Sequence, residues 1–101
     1  MKITQIQYTV RADFVSRNQD NISQVMKELR SLNPKGLRYT TFLKDDGKTF
    51  IHLVVSTEEA GEVISGLKSF QKFQEELKSS DLEVKPKFSD LTLVGASLDL
   101  L

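Results

Sequence analysis

His52 is the only histidine of the chain, and histidine is the side chain whose ordinary pKa lies nearest neutrality. Such a group can serve as a general acid or base, or as a donor that anchors a ligand. No nucleophile or partner base stands near it in the sequence. The plainer reading is therefore a structural histidine satisfied by a neighbour such as a glutamine of the first strand. Tyr8, Tyr39 and Phe70 join it as candidates. Periodicity assigns them mainly to the core, but a cavity between helices and sheet would draw its lining from the same residues. Small-molecule sites are largely apolar with a few polar groups. The candidate ligand-binding set is thus Tyr8, Tyr39, His52 and Phe70, with His52 the one weak candidate for catalysis.

Other short patterns fail their context tests. Gly47-Lys48-Thr49 resembles the end of a phosphate-binding loop, but Phe42 stands where the first glycine belongs and a strand follows in place of a helix. Ser69-Phe70-Gln71-Lys72 has the S-x-x-K form of serine acyl enzymes without their companion motifs, and Ser69 reads better as a helix N-cap. The carboxylate pairs Asp45/Asp46, Glu58/Glu59 and Glu75/Glu76 are adjacent in sequence, so their side chains diverge. With one histidine and no cysteine, no metal set forms. No motif calls for a cofactor. The segment Lys48 to Leu53 has some features of the third strand of an RNA-recognition module, with Phe50 and His52 as stacking groups. Thr49, Ile51 and Val55 depart from that pattern.

Composition narrows the classes further. Fourteen Lys and Arg balance fourteen Asp and Glu, which argues against a nucleic-acid partner. The absence of cysteine excludes disulfides and thiolate chemistry and fits a reducing compartment, so a cytoplasmic location is expected. The opening MKITQIQYTV lacks the apolar run of a signal peptide, and no stretch is long enough to span a membrane. A length of 101 residues, 39% of them hydrophobic, predicts one globular domain over residues 1–101.

The elements that would position the candidates follow from periodicity. Residues 3–14 alternate, with Ile6, Tyr8, Val10, Ala12 and Phe14 on one face, which predicts a half-buried strand. Residues 17–32 carry Ile22, Val25, Met26, Leu29 and Leu32 at helical spacing until Asn33-Pro34-Lys35-Gly36 stops the helix. Residues 37–44 and 49–55 read as a hairpin about Asp46-Gly47. The run Phe50 to Val55 is apolar on both faces apart from His52, which predicts a central strand. Ser56 with Glu59 has capping-box form. A helix follows, breaks near Gly66, and restarts with Phe70, Phe73 and Leu77 inward. Residues 80–90, with Pro86, read mainly as a loop, and residues 91–95 as the last strand. The order β-α-β-β-α-β predicts an α+β, ferredoxin-like domain: a four-stranded antiparallel sheet with helices on one face.

From the third strand onward, FIHLVVSTEEA, SFQKFQEELKSS and LTLVG resemble the dimeric α+β barrel superfamily, and within it the antibiotic biosynthesis monooxygenase-like domains. The resemblance implies a homodimer whose sheets pack into a barrel. It also implies a tryptophan at the end of the third strand and a histidine in the following helix of active members. Val55 and Ile64 fall at those places, and neither can donate a hydrogen bond or move a proton. The expectation is therefore a dimer that binds a small, mostly apolar molecule, without appreciable oxidation of quinol- or anthrone-like substrates. The alternatives are a cofactor-independent monooxygenase-like or isomerase-like enzyme using His52 and a tyrosine, and a regulatory or interaction module of ferredoxin-like type.

Overall fold

The computed structural model describes residues 1–101. The chain runs β1 (Lys2–Thr9), a 3-10 turn (Ala12–Phe14), α1 (Val15–Leu32), β2 (Leu37–Leu43), β3 (Thr49–Ser56), α2 (Gly61–Ser65), α3 (Lys68–Ser79) and β4 (Val84–Leu91). The strands form one antiparallel sheet in the order β2-β3-β1-β4. This is the ferredoxin-like arrangement, and β3 is a central strand as its two apolar faces require.

Helix α1 forms because its inward positions recur at spacings of three and four. Val25 and Leu29 are buried with Tyr8, Val10 and Phe50, and Ile22 and Met26 pack against them. The helix ends at Asn33 in a left-handed conformation, its N–H bonding Leu29 O at 2.8 Å. Gly36 then takes φ 75°, and an added Cβ would lie 2.9 Å from the Thr57 side chain, so both conformation and space require glycine there. The hairpin turn is held by Asp46, whose carboxylate accepts from the Lys48 and Thr49 amides at 2.9 and 2.8 Å. These bonds, led by the one from the Thr49 hydroxyl, hold its pKa down at about 2.

Several expectations are corrected. Strand β1 ends at Thr9, not residue 14, because its partner β3 begins at Thr49, directly opposite. Beyond that point the chain has no ladder to join and coils into α1, although Val10 and Phe14 still reach the core. Ser56 closes β3 and is buried; Thr57 Oγ1 instead accepts from the Ala60 amide at 3.3 Å. Ser69 lies inside α3, whose N-cap position is Leu67, and donates to Glu28 Oε1 at 2.5 Å. The last strand is Val84–Leu91, not 91–95. Pro86 is tolerated there because β4 is an edge strand and the proline falls where its register with β1 slips, between Lys87↔Gln7 and Val84↔Thr9.

The pairings Ile6↔His52, Tyr8↔Phe50 and Thr4↔Val54 put His52, Phe50 and Val54 on the helix-covered face with Tyr8. The opposite face carries Ile51, Leu53 and Val55 of β3, and Phe42 of β2 lies beside Ile51. Phe50 and His52 are buried beneath the helices and offer no surface on which a base could stack.

Candidate functional site

His52 sits mid-way along β3 with 2% of its surface exposed. Its Nε2 lies 2.7 Å from the Tyr8 hydroxyl on β1, and its Nδ1 lies 2.6 Å from the Tyr39 hydroxyl on β2. Thr41 Oγ1 is a longer neighbour of Nδ1 at 3.4 Å. The ring is therefore satisfied by two tyrosines flanking it, not by a glutamine. Gln5 and Gln7 point to the other face, since they pair with Leu53 and Ile51.

Asn18, fully buried on α1, donates from Nδ2 to the Tyr8 oxygen at 2.9 Å. With the Asn18 amide in this orientation, the Tyr8 hydroxyl donates to Nε2. A neutral imidazole has one N–H and one lone pair, so with Nε2 accepting, Nδ1 carries the proton and donates to Tyr39; the opposite tautomer uses the same two contacts with the directions reversed.

Burial sets the charge states. Desolvation lowers the His52 pKa from 6.5 to about 4, so the ring is neutral at neutral pH. Desolvation also pushes both phenols well above the usual tyrosine range, opposed at Tyr8 by the Asn18 hydrogen bond and reinforced at Tyr39 by Tyr8. The network is thus an uncharged chain of polar groups in an apolar surround.

A cavity of about 300 Å³ opens beside it, between the sheet, α3 and the start of β4. Tyr8, Tyr39, His52 and Phe70, the four residues singled out from the sequence, all line it. The rest of the wall is mostly apolar, with Ile6, Phe73, Leu77, Leu82 and Phe88, while Gln74 and Lys78 stand on α3. Phe73 packs on the imidazole with ring centroids 5.4 Å apart, and Phe70 packs on Phe73 at 5.7 Å. A wider depression of about 430 Å³ lies on the far side of Tyr39, between α1 and β2, but His52 does not line it.

No protein-family model matches the chain, and no curated protein matches it by sequence. Solved structures do match. One, an antibiotic biosynthesis monooxygenase, has a TM-score of 0.77 at 11% identity, covering 94% of this chain and 100% of that one. The fold is that of the antibiotic biosynthesis monooxygenases. A protein of Mycobacterium tuberculosis shares it with a TM-score of 0.75 at 14% identity, over 97% of this chain and 100% of its own. So does a protein of Pseudomonas aeruginosa, with a TM-score of 0.72 at 15% identity, over 93% and 95%. At such identities the likeness concerns the backbone and leaves the chemistry to the side chains present.

In this chain Val55 and Ile64 are both buried, and neither lines the His52 cavity. Asn18 and the α3 pair Gln74 and Lys78 are site residues beyond the four expected from the sequence. Asn18 does carry a signal: it lies four and seven residues before Ile22 and Val25, a polar residue on an apolar stripe. Pro86 and Phe88 were hidden by the misplaced final strand.

Proposed function

We propose that the chain binds a small, mostly apolar molecule in the His52 cavity, with one polar group of the ligand meeting the Tyr39 hydroxyl. The observation that supports this is the buried Asn18–Tyr8–His52–Tyr39 chain, which ends in the Tyr39 hydroxyl on the wall of an apolar space. The volume of about 300 Å³ is at the lower end of small-molecule sites, so the ligand is small. Titration calorimetry with 2-naphthol tests the reading. Saturable binding weakened by Tyr39→Phe supports it; no binding to the native protein refutes it.

An enzyme of the monooxygenase-like or isomerase-like kind is the second reading, favoured by the neutral imidazole held between two phenols. A base with a pKa of about 4 is poorly matched to proton abstraction near pH 7, where catalytic pKa values lie close to the working pH. Binding without turnover is therefore the preferred reading. Oxygen uptake with quinol and anthrone-like substrates tests the enzyme directly, and no protein-dependent rate is expected.

The working form in this proposal is a homodimer in a reducing compartment such as the cytoplasm. The exposed apolar residues of the open sheet face and the absence of cysteine support it. No helix is long and apolar enough to cross a membrane.

A further inference from the structure

We propose that the molecule held in the His52 cavity is an anion, an apolar carboxylate whose carboxyl group pairs with Lys78 at the rim. This rests on the cavity being the ligand site. Lys78 is the one charged residue lining the cavity, and no carboxylate lines it.

Of the carboxylates near Lys78 along the chain, three are paired with other cations, while Glu75, one turn before it on α3, forms no salt bridge and does not line the cavity. Glu76 pairs with Arg17 at 2.6 Å, Asp81 with Arg11 at 3.6 Å, and Glu83 with Lys48 at 2.9 Å. Lys78 itself forms no salt bridge. Gln74 lies one turn before it on the same face of α3, so an amide donor and an ammonium stand in a row.

The two ends of the cavity suit different parts of one molecule. The inner end is built of neutral groups, the Tyr39 hydroxyl and the His52 ring, in surroundings that penalise charge. A carboxylate placed there would lose hydration without a cation to replace it. At the rim Lys78 is exposed, so the pair forms with little desolvation of either partner. Lys78 also lies in the last turn of α3, where a cation complements the helix end. That structural role alone predicts an effect on stability and none on ligand choice, which separates the two explanations.

The test is calorimetry at neutral pH and low salt with 6-hydroxy-2-naphthoate, whose hydroxyl can meet Tyr39, and its neutral counterpart 6-hydroxy-2-naphthamide. The native protein is expected to prefer the carboxylate by about three- to five-fold, the size of an accessible ion pair. Lys78→Gln should abolish that preference while leaving naphthamide binding unchanged, and Lys78→Arg should retain it. Equal binding of the two probes by the native protein overturns the anion assignment but leaves the cavity as a ligand site. A preference that survives in Lys78→Gln also overturns it. Failure of both probes to bind removes the cavity reading and this inference together.

Discussion

The Tyr8 hydroxyl lies 2.7 Å from Nε2 of His52, although the residue directly opposite His52 on β1 is Ile6. Tyr8 pairs with Phe50, so its phenol reaches His52 along the diagonal of the pleat, a distance only a long side chain can cover. The contact thus depends on register, and it binds β1 to β3 at the centre of the core.

A pH dependence follows from this burial. Folding lowers the proton affinity of His52, from 6.5 to about 4. Between those values the unfolded chain binds more protons than the folded one, so stability falls as pH drops from 6.5 towards 4. The loss by pH 4 is about 3 kcal/mol, from the 1.36 kcal/mol carried by each pKa unit. Denaturation midpoints measured across pH 4 to 7 should show this slope, and His52→Gln should flatten it. Asp46 and Glu76, each held at about 2, lose stabilisation as pH falls from their ordinary values of 3.8 and 4.5 towards 2, so they overlap the His52 effect only at the acid end of this range. An unchanged slope in His52→Gln would assign the acid sensitivity to other groups.

Tyr8→Phe tests the network from its other side. The substitution keeps the ring stacked on Phe50, whose centroid is 5.6 Å away, and removes only the hydroxyl. The Asn18 amide and Nε2 both lose their partner in a dry core. Leaving such groups unpaired costs about 1–3 kcal/mol. Urea denaturation should show a loss of that size. A loss below a few tenths would mean that water enters to replace the hydroxyl.

Leu29 reports on the α1 face. It is 8% exposed and belongs to the cluster that joins α1, α3 and the sheet. Leu29→Ala should destabilise by ~2–5 kcal/mol, the usual range for emptying a core leucine position. An exposed control on the same helix, Lys27→Ala, should change the midpoint little.

The parts legible in the sequence were those with strong periodicity and strong punctuation. Helix α1 shows a repeated stripe and a proline stop, and the β2-β3 hairpin shows Asp46-Gly47 between apolar runs. Strand β4 was not legible, because VKPKFSDL alternates weakly and carries a proline. Only its place at the sheet edge, a long-range fact, makes that proline acceptable. The face of β3 was also hidden, since both of its faces are apolar and only pairing with β1 decides which side His52 occupies. For the site, Tyr8, Tyr39, His52 and Phe70 were identifiable by residue type. Their meeting at one cavity wall was not, because they come from three strands and a helix separated along the chain. Asn18 was legible in principle as a polar interruption of a helix stripe, whereas Lys78 looks like any surface lysine until the cavity is seen.

The assembly is the last matter that an experiment decides, and the open face of the sheet makes the case for a dimer. Helices α1 and α3 cover one face, and the pairings define three rows across the other: Phe42, Ile51, Gln7 and Lys87; Thr40, Leu53, Gln5 and Ser89; and Arg38, Val55, Ile3 and Leu91. The β3 members Ile51 and Leu53 are only partly buried and Phe42 and Leu91 are 52% and 40% exposed, whereas Val55 and Ile3 are already buried within the single chain, so the apolar surface left to cover is centred on Ile51, Leu53 and Phe42. Beyond β4 the tail carries Leu93, Val94 and Leu98, the last two 100% and 82% exposed. Apolar groups left so far in water gain free energy by burial against a second surface. A second copy would offer the same face in two-fold register. The glutamines of β1 would lie within that interface and need one another or water as partners. Light scattering at micromolar concentration is expected to give twice the chain mass of 11.5 kDa. Leu53→Lys, which puts a charge at the centre of the face without touching the His52 cavity, should return the protein to a monomer with its α-helical spectrum intact. A native protein that stays monomeric under these conditions refutes the assembly, and a Leu53→Lys variant that remains dimeric moves the interface away from the open face.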